Sequence, residues 1–538
     1  MNTLRLTQLD IDRAAAILQE GGLVGIPTET VYGLGANGLN PDAVAGIFHA
    51  KGRPQDNPLI LHVPSAGWLE RFCIEIPKEA YELADRFWPG PLTMILKRND
   101  TVPDVVTAGL DTVGMRCPDH PVCRAIIERA DVPVAAPSGN TSGRPSPTAA
   151  EHMMEDMKGK IHAIVDGGPC SVGVESTIVD LTCKPPRLLR PGGITLEQLE
   201  SVLGQVQVDD AVRRKMGEGE KPRAPGMKYR HYAPNAPVTV VKGDAERTAR
   251  YIATHAEVGD GVICFDEFAH LFPEQVVTKL GKMNDPADQA RHVFDDLRFY
   301  DDTKVTRIWS QCPEETGVGL AVANRLNKAA GFHIIDVDAM KVIGITGPTG
   351  AGKTTALNAL VSLGGRVVDC DAVYHDLLLH SEPMRCELRQ RYGDEVFGPD
   401  GMLNRKALGA IVFEDQKALK DLNKITHKYV GLAVDEVIAQ ARQEGVPAVA
   451  IDAIALIESG ISDRCTCTVA VTAPDEVRVA RIMKREGISE EYARLRIGAQ
   501  KKEDWFRAHC DYVLINDCAS AEKFQAKARV LFEEILNP

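Results

Sequence analysis

The sequence contains no apolar run close to the roughly 20 residues a membrane-crossing helix requires, which excludes a helical membrane protein. Its opening stretch, MNTLRLTQLDIDRAAAIL, mixes acidic and apolar residues and has no apolar core ahead of a small-residue cleavage site, so no secretory signal is expected. The 13 cysteines are scattered, with no CxxC pair and no clustered Cys/His spacing, which speaks against zinc and for reduced thiols in a cytoplasmic protein. A net charge of −13 argues against a broad nucleic-acid-binding surface. What remains is a 538-residue chain, 44% hydrophobic and 25% charged, the balance of a globular protein with two to four domains.

From Thr7 to about Gln207, apolar stretches and helical patterns alternate irregularly. LVGIPTETVYGLG, PLILHV, PLTMILKR, VPVAAPSGN, HAIVDGG and STIVDLT read as strands, with AVAGIFHAKGR and HPVCRAIIERA as helices between them. Residues 209–236, rich in charge, Gly and Pro, read as a linker, although PGMKYRHYAP is dense in aromatic and basic residues for a spacer. Residues 237–340 alternate more cleanly (VTVVKG, AERTARYIATHA, GVICF, DPADQARHVFDDL, TRIWS, GLAVANRLNKAAG, FHIIDV), the pattern of a small parallel βαβ domain. It has no GxGxxG, so dinucleotide binding has no support there. The pattern restarts at Lys341, directly after Met340, giving expected domains of 1–208, 237–340 and 341–538.

Gly347-Pro-Thr-Gly350-Ala351-Gly352-Lys353-Thr354 matches GxxxxGK[ST] between strand KVIGIT and helix TTALNALVSLGG. Backbone N–H groups of such a loop and of the helix start at Thr355 bind phosphate oxygens, Lys353 reaches the β/γ phosphates, and Thr354 can ligate Mg²⁺. A bare glycine turn with an exposed lysine would not come with that strand and helix. A GTPase would need NKxD, but NKAA and NKIT both lack the Asp. RVVDCD instead places Asp369 and Asp371 at the end of the second strand, where a carboxylate could accept a hydroxyl proton or simply cap a helix.

These residues resemble the dephospho-CoA kinase family over Lys341–Leu536: its DxD as Asp369-Cys-Asp371, then FGPDGMLNRKALGAIVF, LNKITHK, KREGISEEYARLRIGAQ and CDYVLIND in order. The resemblance implies a P-loop kinase with a parallel sheet and helical lid. In it Asp371 would be the base for the 3′-hydroxyl of dephospho-CoA, Lys353 and Thr354 would hold ATP and Mg²⁺, and Arg485 and Arg496 would sit on or near the lid. Pro348, Lys428 and Ile454 depart from the family's pattern.

The N-terminal segment gathers Arg, Lys, Ser, Thr and Asn at strand ends, in PTETVYGLG, KGRPQDNPL, DTVGMR, APSGNTSGRPSPT, VESTIVD and LLRPGG. With no Ser/His/Asp order and no acidic pair evident, this inventory suits nucleotidyl transfer, where positioning and charge stabilisation outweigh a protein nucleophile. Glycine- and proline-rich loops are also ordinary turns, so the composition alone leaves both readings open.

The ordered set resembles the threonylcarbamoyl-AMP synthase family, a YrdC-like mixed α/β domain, in its long form with a small Rossmann-like accessory domain, over about Leu9–Val337. The resemblance implies conversion of L-threonine, bicarbonate and ATP to L-threonylcarbamoyl-AMP and pyrophosphate. The product would pass to a tRNA threonylcarbamoyl transferase for t6A modification, with direct tRNA binding weak or absent. It assigns threonine to Thr30, His62, Arg116 and Ser176, and ATP to Lys51, Arg53, Asn57, Thr112, Ser138, Asn140, Ser146, Arg190 and, from the linker, Tyr232. The rival reading is an RNA-binding or regulatory module attached to the kinase.

Overall fold

The computed structural model describes residues 2–214, 232–399 and 401–536, so most of the expected linker, including the PGMKYRH stretch, lies outside the described residues. The chain divides into two compact units, Met1–Val337 and Asp338–Pro538. It is α/β throughout, as the sequence pattern leads one to expect, and no described helix is long and apolar enough to cross a membrane.

The first unit holds two sheets. The larger has eleven strands, running Leu4–Leu6, Ala163–Val165, Val24–Ile26, Gly33–Asn37, Val134–Ala135, Ile60–His62, Thr112–Arg116, Leu92–Lys97, Thr177–Asp180, Arg187–Arg190 and Gln207–Val208 from edge to edge. Parallel and antiparallel pairs mix within it. LVGIPTETVYGLG is not one strand: Val24–Ile26 and Gly33–Asn37 pair antiparallel around a buried loop at residues 27–32. Pro27 has no N–H to give the ladder, so the first strand ends before it.

The second sheet of this unit is wholly parallel, in the order Val276–Gly281, Gly261–Phe265, Ile308–Gln311, Val238–Lys242 and Ile334–Asp336. Val276–Gly281 is an edge strand absent from the sequence reading. Its outer four residues are half-buried or exposed, so it carries no continuous apolar run.

The Asp338–Pro538 unit is a five-stranded parallel sheet, Arg366–Asp369, Ala448–Asp452, Lys341–Thr346, Cys467–Thr472 and Tyr512–Ile515, with helices on its faces. The first strand in sequence sits centrally. That places the loop after Thr346 at the carboxyl edge of the sheet, where ligands enter open α/β folds.

Candidate active sites

In the first unit a cleft is lined by residues from distant strand ends, among them Lys51, Arg53, His62, Arg116, Ser138 and Arg190. The hairpin loop forms one wall. Thr28 Oγ1 donates to the Val31 carbonyl (2.6 Å), accepts the Thr30 amide (3.2 Å) and lies 2.9 Å from the Thr30 hydroxyl, folding the loop on itself. Glu29 accepts from Arg116 Nη2 at 2.7 Å, both side chains nearly sealed from solvent. A buried, hydrogen-bonded pair of this kind holds its geometry tightly.

Several buried polar atoms here have no hydrogen-bond partner: Glu29 Oε2, Arg116 Nε and His62 Nδ1. Leaving such groups unpaired costs roughly 1–3 kcal/mol each, so their concentration at one place is the mark of a site built for a ligand. Burial, reinforced by Arg116, pushes the His62 imidazole down to about 3. It is therefore a neutral hydrogen-bonding group at working pH.

Lys51 closes helix Pro41–Lys51, and its ammonium donates to the carbonyls of Ser138 and, at 2.6 Å, Asn140. Ser138 Oγ donates to Asn140 Oδ1 (2.6 Å), and Asn140 Nδ2 donates to the Thr141 and Arg144 carbonyls at 2.9 and 2.8 Å. Lys51 thus pins the serine–asparagine loop to the helix end. Burial and the neighbouring Arg53 hold its ammonium well below the usual lysine range.

Arg190 donates to the Ser176 carbonyl (3.0 Å) and hydroxyl (3.1 Å), and burial lowers its guanidinium to about 10. Ser146 Oγ donates to Glu175 Oε1 at 2.5 Å. Burial alone would raise the Glu175 carboxyl, but Arg325, Arg190 and the Ser146 hydroxyl outweigh it and hold the group at about 2. Tyr232 is buried and its ring packs 5.0 Å from Phe294.

Ser176, Asn140 and Tyr232 also line the cleft; Thr30, Ser146, Asn57 and Thr112 are not among its lining residues. Thr30 and Ser146 support it through Thr28 and Glu175. His62 pairs with Arg116 across adjacent strands, which sets Asn57 and Thr112 towards the opposite strand ends. Two carboxylates bear on the cleft where the sequence showed no acidic pair: Glu175 lines it, and Glu29 stands behind its Arg116. Both stand inside the quoted motifs, but their arginine partners are 87 and 150 residues away.

In the second unit, Gly347 and Gly352 take positive φ of 140° and 103°. A Cβ at Gly347 would lie 2.1 Å from the Val471 carbonyl oxygen, and one at Gly352 would lie 2.4 Å from Asn516 Nδ2, so only glycine fits either place. The loop's carbonyl side is held by side chains the sequence reading did not single out. Arg478 donates to the Thr349 carbonyl (3.1 Å), Arg481 to those of Gly350 and Ala351 (3.2 and 3.3 Å), and Asn516 to that of Ala351 (2.8 Å). Gly350 and Ala351 thus belong to an anchored loop that ends where helix Lys353–Ser362 begins, with Thr354 and Thr355 in its first turn.

Lys353 Nζ donates to Asp452 Oδ1 at 2.8 Å, at the end of the neighbouring strand. Asp369 caps helix Cys370–His380, accepting the amides of Asp371 (2.9 Å) and Ala372 (3.1 Å). Asp371 lines a second cleft with Tyr374, Asn423, His427 and the apolar Val430 and Ile454. Of the two aspartates, one is the cap and the other faces the cleft. Arg485 and Arg496 both pair with Glu486. Lys428 pairs on the surface with Glu387 at 2.7 Å, outside the cleft lining, whereas Ile454 forms part of it.

Comparison with known proteins divides the chain in the same place. Residues 16–192 match the family described as Telomere recombination (Sua5/YciO/YrdC), residues 194–331 the Threonylcarbamoyl-AMP synthase C-terminal domain, and residues 341–522 Dephospho-CoA kinase. The chain is 50% identical over 338 residues to the threonylcarbamoyl-AMP synthase of Pyrococcus abyssi, covering 62% of this chain and 97% of that protein. It is 37% identical over 179 residues to the dephospho-CoA kinase of Dehalococcoides mccartyi, covering 33% of this chain and 90% of that one. The crystal structure of P. abyssi Sua5 complexed with L-threonine matches 62% of this chain and 99% of its own, with 46% identity and a TM-score of 0.57.

Proposed function

We infer two activities from one premise: the chain belongs to the threonylcarbamoyl-AMP synthase family over residues 16–331 and to the dephospho-CoA kinase family over residues 341–522. It is a bifunctional enzyme that uses ATP in both halves. The first unit takes L-threonine, bicarbonate and ATP to L-threonylcarbamoyl-AMP and pyrophosphate. The threonine amine bonds to the bicarbonate carbon with loss of water, giving threonylcarbamate, whose carbamate oxygen bonds to the α-phosphorus as the bond to the pyrophosphate leaving group breaks.

The observation that carries this reading is the set of unsatisfied buried atoms on Glu29, Arg116 and His62. Arg116 Nε, oriented by Glu29, pairs with the threonine carboxylate, while Glu29 Oε2 and His62 Nδ1 accept from its ammonium or hydroxyl groups. Thr30 shapes that wall and Ser176 closes it. Arg53, Arg190, Ser138 and Tyr232 stand around the nucleotide, Asn140 and Ser146 hold their loop in place, and Lys51 sets that loop's position. Asn57 and Thr112, outside the cleft lining, are assigned to ATP by the family resemblance alone. No proton transfer is asked of His62, whose low pKa suits a neutral acceptor.

The second unit phosphorylates the 3′-hydroxyl of dephospho-CoA. Asp371 takes the hydroxyl proton as the oxygen bonds to the γ-phosphorus and ADP leaves. Lys353 leaves Asp452 for the β/γ phosphates, and the backbone N–H groups between Gly347 and Thr355, of which Pro348 has none, cradle them. Thr354 and Asp452 are oxygen donors beside the loop that fit Mg²⁺, which keeps most of its waters and phosphate ligands and would neutralise phosphate charge when bound. Arg485 comes to the ATP from the lid. The threonylcarbamoyl product goes to a separate tRNA-modifying transferase, and a chain of net charge −13 is not expected to hold tRNA itself.

Product analysis of the full chain tests this. ATP, threonine and bicarbonate should yield pyrophosphate and threonylcarbamoyl-AMP, and ATP with dephospho-CoA should yield ADP and coenzyme A. Salt-sensitive RNA binding without pyrophosphate release would favour the RNA-module reading instead.

A further inference from the structure

Arg325 heads the largest side chains that are fully buried, at 0% exposure, and it is a charged residue in a domain to which no step has been assigned. It belongs to helix Gly319–Ala329, which packs beside the second sheet of the first unit. Yet its main partners lie in the first sheet domain. Nε donates to Glu175 Oε2 at 2.8 Å and Nη1 donates to the Pro191 carbonyl at 2.9 Å, with its neighbour Asn324 accepting at 3.1 Å. The guanidinium lies 5.8 Å from the Tyr232 ring centre.

The two domains share more than this contact. Val31 of the hairpin loop, Val174 beside Glu175, and Tyr232 all belong to the second domain's own apolar core, with Phe294 and Val322. Gly173 approaches helix Pro286–Phe299 so closely that a Cβ would lie 2.3 Å from the Ala290 carbonyl oxygen. Arg298 of that helix donates to the Pro145 carbonyl (2.6 Å) and to Asp156 (2.8 Å), and Arg144 reaches back to Asp301 at 3.1 Å. The loop carrying Ser138, Asn140 and Ser146 is therefore braced from the second domain.

We propose that Arg325 is a positioning residue of the nucleotidyl-transfer site: it fixes the Glu175 carboxylate, which in turn holds the Ser146 loop and sets Tyr232 against the nucleotide, making residues 237–337 part of the synthase site. The inference rests on the cleft being that of a synthase. It gives the second domain a share in shaping the site, acting through Glu175, by way of one buried side chain. A side chain with three oriented acceptors and zero exposure does not need to be charged to fill space; a methionine of similar length would pack. The charge serves Glu175.

The charged and titratable groups around Glu175 are Arg325, Arg190, Lys51, Lys328 and Tyr232. Burial pushes Glu175 up, and Arg325 is the first of the groups that bring it down to about 2. Without Arg325 the burial remains, so the carboxyl gains a proton as pH falls through the assay range and loses its hold on Ser146. Lys328, lowered to about 7 by burial and by Arg325 and Arg190, also titrates nearby.

The test compares Arg325→Met with Arg325→Met/Glu175→Gln, both lacking Arg325, in pyrophosphate release from pH 5.5 to 8.5. Arg325→Met should raise the KM for ATP by tenfold or more, up to the roughly 10²-fold that misplacement by an ångström costs. It should also show an acid limb that the double variant lacks. Coenzyme A formation by the same preparations should stay at the wild-type rate. If Arg325→Met does not fold alone, the double variant, which leaves no buried carboxylate unpaired, is read against the wild type, and an unchanged KM for ATP overturns the proposal. A loss of equal size in both variants at every pH, tracking a lowered thermal transition, also overturns it and makes Arg325 a packing residue. Wild-type protein that releases no pyrophosphate would instead sink the synthase reading.

Discussion

Asp369 and Asp371 stand two residues apart and do different work. Asp369 spends its carboxylate on two helix amides, whereas Asp371 lines the cleft beside the phosphate loop. Asp371→Asn is expected to cut kcat on dephospho-CoA by about 10²–10⁴-fold with an unshifted thermal transition, the loss typical of a general base. Asp369→Ala is expected to keep turnover and lose about 1 kcal/mol of stability, the worth of a helix cap. Steady-state kinetics and thermal melts on the two variants separate the roles, and a reversed pattern would make Asp369 the base. The phosphate loop from Gly347 to Thr355 was legible in the sequence because backbone geometry ties that motif to its spacing, whereas Ser138 to Ser146 read equally as a turn and take their assignment from the family resemblance. Asp452, 99 residues from Lys353, and Glu175, 150 from Arg325, were not. An acid in a phosphate-binding cleft reads as repulsive until its cation is known, and that cation is supplied only by the fold.

Elements with continuous apolar runs, such as GVICF and KVIGIT, were readable as strands because both faces are covered. PTETVY was not readable as a loop, since its buried residues serve the site and not the sheet. The edge strand Val276–Gly281 was lost for the opposite reason, its half-solvated faces diluting the pattern. Helix Pro286–Phe299 shows how much one element can carry. Arg298 braces the serine–asparagine loop, while Asp296 turns inward with Oδ2 unpartnered. Burial, with Asp295 adding to it and Thr278 opposing, holds the Asp296 carboxyl well above the usual range. The folded state therefore keeps a proton that the unfolded chain has released. That contribution to stability is present below the unfolded carboxylate value of about 3.9 and is lost as pH rises towards the folded value. Asp296→Asn removes the penalty. Its melting temperature should match the wild type near pH 4 and exceed it by about 2 °C or more at pH 7.5. Calorimetry at the two pH values checks this, and a gap that shrinks with rising pH would refute the assignment.

On the scale of the whole molecule, two units each carry their own apolar clusters and their own ATP chemistry. Neither reaction consumes the other's product, so there is no intermediate to hand over, and shared ATP is the one chemical link. Two complete active sites therefore share a chain and do not share a mechanism. The most direct measurement is crossed inactivation of the full chain, with pyrophosphate release and coenzyme A formation assayed on the same preparations. Arg53→Ala, in the lining of the first cleft, should abolish threonine- and bicarbonate-dependent pyrophosphate release and leave coenzyme A formation within about twofold of wild type, a change under 0.5 kcal/mol in the barrier. Asp371→Asn should do the reverse. If either substitution lowers both activities by more than about tenfold, roughly 1.4 kcal/mol, the two sites are not independent and the account is contradicted.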